Sequence, residues 1–484
     1  DMSNLSDLLP AGAGGKQVDF VASGTIGNGV TVGLNSNGTV SAIATVQNSP
    51  PVYGAESVIF VASGEQTAVA YDSLNNKVVV AYRDNSNSSY MTAIVGTVSG
   101  SSISFGSSYV FLSRQVSFLS MDFDATAGKV VVAYKDSQDN YGYAQVGTVS
   151  GTSISFGSQV LVSGNSSDDF SVVYDGTAGK TVVFYRGTPY NVAGEAKVGT
   201  VSGTSISFGS LATWTNNNPG YISSAYDSTS GKVVVVYADQ SASSAKAIVG
   251  TVSGTSISFG SEGTLDSGLL YASDTTYDSN AQRIVVAYTD ANNSNYLTTI
   301  VGTVSGTSIS FGTSVVVVSS YTQNSCVDFD ATANKVLIAY RDNSNNNYGT
   351  TKIGTVSGTS ISLSSASVFV SGLTNWLRGV YDPDSQRIVL AYSREISSQY
   401  KFVAQTAQLA SQNFTSFVGI SDAAISSAAS GSVTIKGGIS SNVTSLTANS
   451  TYYVQDDGTL TTTTSTVLAG KALSSTSINL DYTT

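Results

Sequence analysis

Short apolar runs bounded by Asp, Ser, Asn and Gly recur along most of the chain, a pattern that predicts β-strands and turns. The runs are ordered. Seven times Tyr or Phe is followed by Asp, a short turn, a basic residue and a β-branched run ending in Tyr. One copy reads Asp122-Phe-Asp-Ala-Thr-Ala-Gly-Lys129-Val-Val-Val-Ala-Tyr134. The aspartates are Asp72, Asp124, Asp175, Asp227, Asp278, Asp330 and Asp382, a period of 51 or 52 residues. Each unit holds four strand signals; in the third they are residues 170–174, 181–185, 196–201 and the stretch from 205 through Ser207-Phe-Gly209. The first two are joined by Asp175-Gly-Thr-Ala-Gly179, where Asp caps its own turn, and the last two by Ser202-Gly203-Thr204.

Four antiparallel strands per unit of this length predict a β-propeller, all-β and seven-bladed; a linear β-solenoid is the rival, with rungs that are usually shorter. Each blade buries its apolar face against the next, so the ring must close. Gly-Thr-Val-Ser-Gly recurs at Gly96, Gly147, Gly199, Gly250, Gly302 and Gly354, and Ile-Ser-Phe-Gly at Ile103, Ile154, Ile206, Ile257 and Ile309. The sixth unit has Ile361-Ser-Leu-Ser instead, and the seventh lacks both motifs. Conversely, Ala55-Glu-Ser-Val-Ile-Phe-Val-Ala62 precedes the first blade and matches the segment after Ile-Ser-Phe-Gly in the other units, so it is expected to complete the last blade.

The flanks differ. In residues 1–15, Leu5, Leu8 and Leu9 are spaced for one helical turn ended by Pro10, a candidate docking peptide for a partner. Residues 16–50 alternate as half-buried strands do (Val18, Phe20, Val30, Val32, Leu34, with Asn37-Gly38 as a turn), and Pro50-Pro51 marks a boundary. The propeller is expected over 51–414. Residues 415–484 return to strand patterns without the repeat, with Asp457-Gly458 a hairpin turn, and are expected to pack with 16–50 as one small discontinuous β-domain.

Composition narrows the chemistry. Charged residues are 11% of 484 and the net charge is −11 without a basic cluster, which argues against a nucleic-acid partner. The polar balance is uncharged, as in β-rich proteins that work outside cells or on virus particles. There is no histidine, which removes Ser-His-Asp and Cys-His triads and histidine zinc sites. Cys326 is the single cysteine, expected buried and inert. No apolar run is long enough to cross a bilayer as a helix, and the first residues show no secretion signal.

Strand order puts the two repetitive turns of each blade on one face and the longer, variable connections on the other, where binding usually resides. One variable set follows the β-branched strand and ends at Tyr90, Tyr141, Tyr296 or Tyr348; the other joins blades and holds both tryptophans, in Trp214-Thr-Asn-Asn-Asn-Pro-Gly-Tyr221 and Asn375-Trp-Leu-Arg378. Phe118, Phe170, Tyr271 and Tyr321 sit in equivalent connections. Aromatic rings stack on sugars while Asn, Asp and Arg bond their hydroxyls, so a carbohydrate surface is expected around Trp214, Tyr221, Trp376 and Arg378, with Tyr90, Tyr141, Tyr296 and Tyr348 behind them. The bland alternative is that these rings pack between blades. The seven repeated aspartates read as turn caps rather than a ring of acids. The Asp-Asn-Ser-Asn loops read as solvated turns, since they lack the acid density of a calcium loop. No metal or cofactor is expected.

An enzyme is the competing class. Arg83, Arg186, Arg341, Arg378 and Arg394 could form a sialidase-like cluster, but they fall in different blades and no Ser-x-Asp-x-Gly-x-Thr-Trp box occurs. The five glutamates, Glu56, Glu65, Glu195, Glu262 and Glu395, form no recurring pair for polysaccharide cleavage. The chain is therefore read as a non-enzyme, with depolymerase activity the lesser alternative.

The opening Met2-Ser-Asn-Leu-Ser-Asp-Leu-Leu-Pro10, Asp19-Phe-Val-Ala-Ser-Gly24, the repeats, and the ending with Phe417-Val-Gly-Ile420, Thr434-Ile-Lys-Gly-Gly438, Tyr452-Tyr-Val-Gln-Asp-Asp-Gly458 and Ala469-Gly-Lys-Ala472 resemble marine bacteriophage and cyanophage virion fibre proteins. The resemblance implies a structural protein on the virion surface, anchored to other virion proteins through its ends and displaying the propeller to a host-surface glycan. It carries over no catalytic residues. Fibres are often homotrimers, although no heptad stretch specifies one here; a capsid decoration or filament subunit without a ligand is the alternative.

Overall fold

The computed structural model describes residues 16–35, 38–43, 50–60, 62, 64–187, 192–322, 324–396, 399–409, 417–454, 458–462 and 467–481. The docking peptide with Leu5, Leu8 and Leu9 lies outside the described residues. The chain divides into two compact units, 50–410 and a second made of 1–49 with 411–484. The larger unit ends at residue 410, not 414, because its last strand, Gln399–Gln408, closes just before it.

The larger unit is a β-propeller with seven blades. Its innermost strands are Gly64–Asp72, Val116–Asp124, the second half of Val160–Asp175, Pro219–Asp227, Leu270–Asp278, Ser325–Asp330 and the second half of Ser367–Asp382. Each touches the next, and the last touches the first, so the array is a closed wheel and not a stack of rungs. They surround a channel of about 480 Å³. Within a blade the strands pair antiparallel in chain order, as in Gly64–Asp72, Lys77–Asp84 and Tyr90–Ser99. The middle strands bury both faces, and for this they carry β-branched residues at successive positions. The tyrosines that end the second strands, Tyr82, Tyr134, Tyr185, Tyr237, Tyr288, Tyr340 and Tyr392, are all fully buried between blades.

The repeated aspartates cap their turns. Asp175 Oδ1 accepts the Thr177 and Ala178 N–H groups, both at 2.9 Å; Asp72, Asp227, Asp330 and Asp382 likewise accept two N–H groups of their turns, Asp124 accepts that of Ala127 and Asp278 that of Ala281. Asp84 and Asp342 likewise close the Asp-Asn-Ser-Asn loops, accepting Ser86 N–H at 2.9 Å and Ser344 N–H at 3.0 Å.

The outer strand of each blade is broken in two, as in Ser102–Phe105 and Tyr109–Leu112, both paired with Tyr90–Ser99. At the break sits the glycine of Ile-Ser-Phe-Gly. Among the described residues six glycines occupy this place, and a Cβ on any of them would meet a backbone carbonyl oxygen of the next blade: Gly54 at Ser101 (1.8 Å), Gly106 at Thr152 (1.9 Å), Gly157 at Thr204 (1.8 Å), Gly209 at Thr255 (1.9 Å), Gly260 at Thr307 (1.8 Å) and Gly312 at Thr359 (1.9 Å). The carbonyl belongs to the turn between third and fourth strands. The sixth blade has Ser364 instead because the seventh blade has no such turn. Its fourth strand comes from the N-terminal side: Val52–Tyr53 pairs with residues 407–408 and Ser57–Phe60 with residues 402–404.

In the smaller unit, Gln17–Val21, Ser430–Ile435, Phe417–Ser421, Thr31–Leu34 and Val40–Ala42 form one antiparallel sheet in that order, interleaving the two ends of the chain. Thr31 lies opposite Ile420 and Gln17 opposite Thr434. Ile439–Ser440, Ile478–Leu480, Leu468–Ala472, Thr451–Val454 and Leu460–Thr461 form a second sheet. No helix among the described residues is long and apolar enough to cross a membrane.

Candidate functional site: the channel mouth

Six inner strands carry an extra residue near their start, on the face of the long loops. The register slips there, for example between Ser117 and Ser120, between Gly220 and Ser223, and between Asn375 and Arg378. The bulged residues are Gln66 (φ +48°), Phe118 (+57°), Asp169 (+52°), Tyr221 (+53°), Ala272 (+50°) and Trp376 (+55°). A left-handed conformation costs a bulky residue on the order of 1 kcal/mol, and such strain clusters where a side chain has to be re-aimed.

The ring of bulges is locked by its polar members. Gln66 Oε1 accepts the Phe118 N–H at 2.7 Å, and Asn324 Oδ1 accepts the Trp376 N–H at 2.8 Å. The Asp169 carboxylate takes the Tyr221 N–H. A hydrogen-bonding side chain in one blade thus fixes the backbone of an aromatic in the next, and the aromatic side chain is left at the mouth. Phe118 is 36% exposed, Tyr221 38%, and Trp376 is half-buried. The Tyr221 and Tyr271 rings meet edge-on at 5.7 Å. Tyr321, 41% exposed, lies opposite Tyr296 in the strand register. The Tyr221 hydroxyl is raised by burial, then by Asp169, Tyr271 and Tyr321, so these rings form one arc.

A second ring lies beside the first, built by the residue after each buried tyrosine. Arg83 pairs with Glu65, Lys135 with Asp168 at 2.8 Å, and Arg186 with Asp168 at 3.0 Å. Burial works against the Asp168 charge, yet hydrogen bonds from Lys135 and Arg186 hold its carboxyl below the usual range. Arg341 departs from the pattern: its Nε donates to Asn343 Oδ1 at 3.0 Å and its Nη1 to Asn375 Oδ1, both neutral.

Other candidates lie elsewhere. Trp214 is not at the mouth. It is 5% exposed in the outer strand Ala212–Thr215, with its indole N–H on the Glu195 carbonyl at 3.1 Å and its ring 4.7 Å from Tyr237. It fills space above Gly194, where a Cβ would lie 2.4 Å from the indole. Its counterparts one period away are Val162 and Leu265, both buried, so at this position the tryptophan is a packing residue. Phe170 is also buried and stacks on Tyr185 at 5.6 Å. Arg378 is exposed but lines the channel, deeper than Trp376. Tyr90, Tyr296 and Tyr348 are half-buried and Tyr141 is 37% exposed, each opening a third strand. Of these four, Tyr296 joins the arc through its pairing with Tyr321. Sequence reasoning gave Asn324 and Asn375 no role of their own and weighed Arg341 only for a sialidase-like cluster; aligning the repeats on the residue after the buried tyrosine sets Arg341 apart from Arg83, Lys135 and Arg186, whose partners are acidic.

Below the mouth three carboxyls stand on inner strands, and two of them, Asp122 and Asp274, line the channel. Asp122 Oδ2 accepts the Tyr174 N–H at 2.7 Å and Asp274 Oδ2 the Val327 N–H at 2.9 Å, whereas Asp328 Oδ2 is shut off from solvent without a partner among the described residues. Burial pushes Asp122 up to about 6; burial and the neighbouring Asp274 charge push Asp328 up to about 8. The folded protein therefore holds a proton on Asp328 that the unfolded chain releases near pH 4, so this group's contribution to stability falls as pH rises from about 4 to about 8. Asp328→Asn is expected to raise stability at pH 9 by on the order of 2 kcal/mol, after discounting for relaxation around the buried carboxylate, and to change it little at pH 4. Urea unfolding at both pH values checks this. Cys326, beside this group, is buried and its thiol is pushed well up by that burial, which makes it inert.

No protein-family model matches the chain, and no curated protein does. Solved structures similar to it include AofleA from Arthrobotrys oligospora (10% identity, TM-score 0.43, 72% of this chain and 96% of that one). A protein from Lactobacillus plantarum is similar at 11% identity and TM-score 0.46, over 73% of this chain and 96% of that one. Chaetomium thermophilum Sqt1, solved bound to the N-terminus of ribosomal protein L10, is similar at 10% identity and TM-score 0.43, over 70% and 86%. The functional reading therefore stands on the chain's own residues.

Proposed function

We propose that the chain is a fibre-type structural protein of a virion surface whose propeller adheres to a host-surface glycan through the channel mouth. The virion assignment rests on the resemblance of the terminal segments and repeats to phage fibre proteins; in that setting the ends, including residues 1–15, attach to other virion proteins. The glycan assignment rests on one observation: solvent-facing aromatic rings collect at the mouth, on backbone positions that are strained to hold them there, beside asparagine and arginine side chains. Exposed rings with adjacent polar groups suit a pyranose, which has one apolar face and an equatorial belt of hydroxyls.

A glycan array probed with the purified protein tests this. Tyr221→Ala and Trp376→Ala are each expected to weaken binding about tenfold or more, as loss of a central aromatic contact does. Trp214→Ala is expected to lower stability by about 3–5 kcal/mol, through the cavity it leaves, and to spare the mouth. An array without any binder, or wild-type binding by both mouth variants, removes the glycan reading and leaves an architectural subunit.

A further inference from the structure

We propose that the saccharide held at this mouth is acidic, with its carboxylate seated on Arg341 and its ring against the aromatic arc between Tyr321 and Trp376. The inference rests on the glycan reading and adds the chemical class of the ligand.

The internal repeat supplies the comparison. The position after the buried second-strand tyrosine is basic in four blades: Arg83, Lys135, Arg186 and Arg341. Three of these have an acidic partner in the strand or blade beside them, Glu65 for Arg83 and Asp168 for both Lys135 and Arg186. Arg341 has none among the described residues. A guanidinium has five N–H donors in a planar fork. Two of those on Arg341 go to the carbonyl oxygens of Asn343 and Asn375, which orient the group without neutralising it. The rest of the fork has no partner among the described residues. A half-buried cation lacking a counter-charge is an unfavourable arrangement for a structural residue, and a bidentate carboxylate is the group that best relieves it. Burial lowers the Arg341 pKa, and the one group acting against that is Tyr321.

The placement ties this cation to the aromatic arc. The Arg341 N–H donates to the Asn324 carbonyl at 2.9 Å, and the side chain of the same Asn324 holds the Trp376 N–H. Asn375, which receives the guanidinium, precedes Trp376 in the chain. The cation and the indole are therefore positioned by the same two asparagines, and Tyr321 is near enough to act on the cation's charge. The opposite half of the mouth, where Glu65, Asp168 and Asp169 meet Arg83, Lys135 and Arg186, is internally neutralised. Among the described residues, only the Tyr321–Trp376 side offers an uncompensated positive group next to rings.

The test uses the full-length chain on an array carrying neutral, carboxylated and sulfated saccharides, followed by the carboxylated hits after chemical reduction of the carboxylate to the alcohol. The expected result is that the hits are carboxylated, that reduction weakens them at least tenfold, and that Arg341→Gln does the same to the unreduced ligand while Arg341→Lys retains part of the binding. Should Arg341→Gln fail to fold, judged by its unfolding midpoint, the reduced ligands and Arg341→Lys decide. Hits confined to neutral or sulfated saccharides, or acidic hits indifferent to both carboxyl reduction and Arg341→Gln, overturn the inference and leave the glycan reading standing. An array with no hits overturns both.

Discussion

A chain lacking residues 55–62 is expected to lose the cooperative unfolding transition of its propeller. Within this stretch Ser57–Phe60 is part of the outer strand of the seventh blade although it lies before the first, with Val58 opposite Val403 and Phe60 opposite Phe402. Glu56 accepts hydrogen bonds from the buried Tyr392 hydroxyl, at 2.7 Å, and from Arg394. The Phe60 ring stacks on Tyr82 of the first blade at 4.9 Å and touches Phe402 of the seventh at 5.5 Å, so it joins the two blades on either side of the seam. Losing one such aromatic costs about 3–5 kcal/mol, and with its neighbours the deletion approaches the whole net stability of an ordinary domain. Nor can the other blades hold the circle without it, since each is covered only by its neighbours. Calorimetry of the deleted and intact chains is the measurement. An unchanged melting profile would show that the strand is ornamental.

The second large effect is expected at the blade joints. Gly209→Val places a Cβ 1.9 Å from the Thr255 carbonyl oxygen, an atom that is part of a hydrogen-bonded turn and cannot swing aside. The joint has to open, and since the wheel is closed the displacement propagates; a loss of at least about 3 kcal/mol is expected, at the upper end for overpacking. Ser364→Gly is the matched control. There the facing turn is absent, and the side chain accepts the Ile353 N–H at 2.9 Å and donates to the Ser365 carbonyl at 2.9 Å, so the loss is expected to stay near 1 kcal/mol. Urea midpoints of the two variants compare them directly. Equal midpoints would mean the glycines are not keeping space for the neighbouring blade.

Much of this architecture is legible in the sequence because a repeat shows its constraints several times over. Asp at one spacing, Tyr at another and Gly at a third each mark a cap, a buried ring and a close approach, and the odd Ser364 marks the blade whose neighbour differs. The face that carries the long, variable loops follows from strand order alone. The individual site residues do not. Trp214 and Trp376 look alike in sequence, each in a variable segment between blades, yet one sits at an inward position of an outer strand and the other on a bulge of an inner strand. A bulge shifts side chains by one residue and so inverts which face they reach, and no composition signal announces it. Asn324 is similarly silent: its role is a hydrogen bond to a backbone 52 residues away. Arg378, set beside Trp376 in sequence, drops into the channel for the same reason.

The way the seventh blade is closed also bears on how the propeller is held. Val52 is the partner of Gln408, so the polypeptide enters and leaves the wheel at adjoining points, on the side away from the aromatic rim. Both flanks then run into strands of one sheet, Thr31–Leu34 beside Phe417–Ser421. If a fluctuation peels the borrowed strand loose, its local concentration stays on the order of millimolar, and it reseals its own seam before a strand from another molecule can take the place.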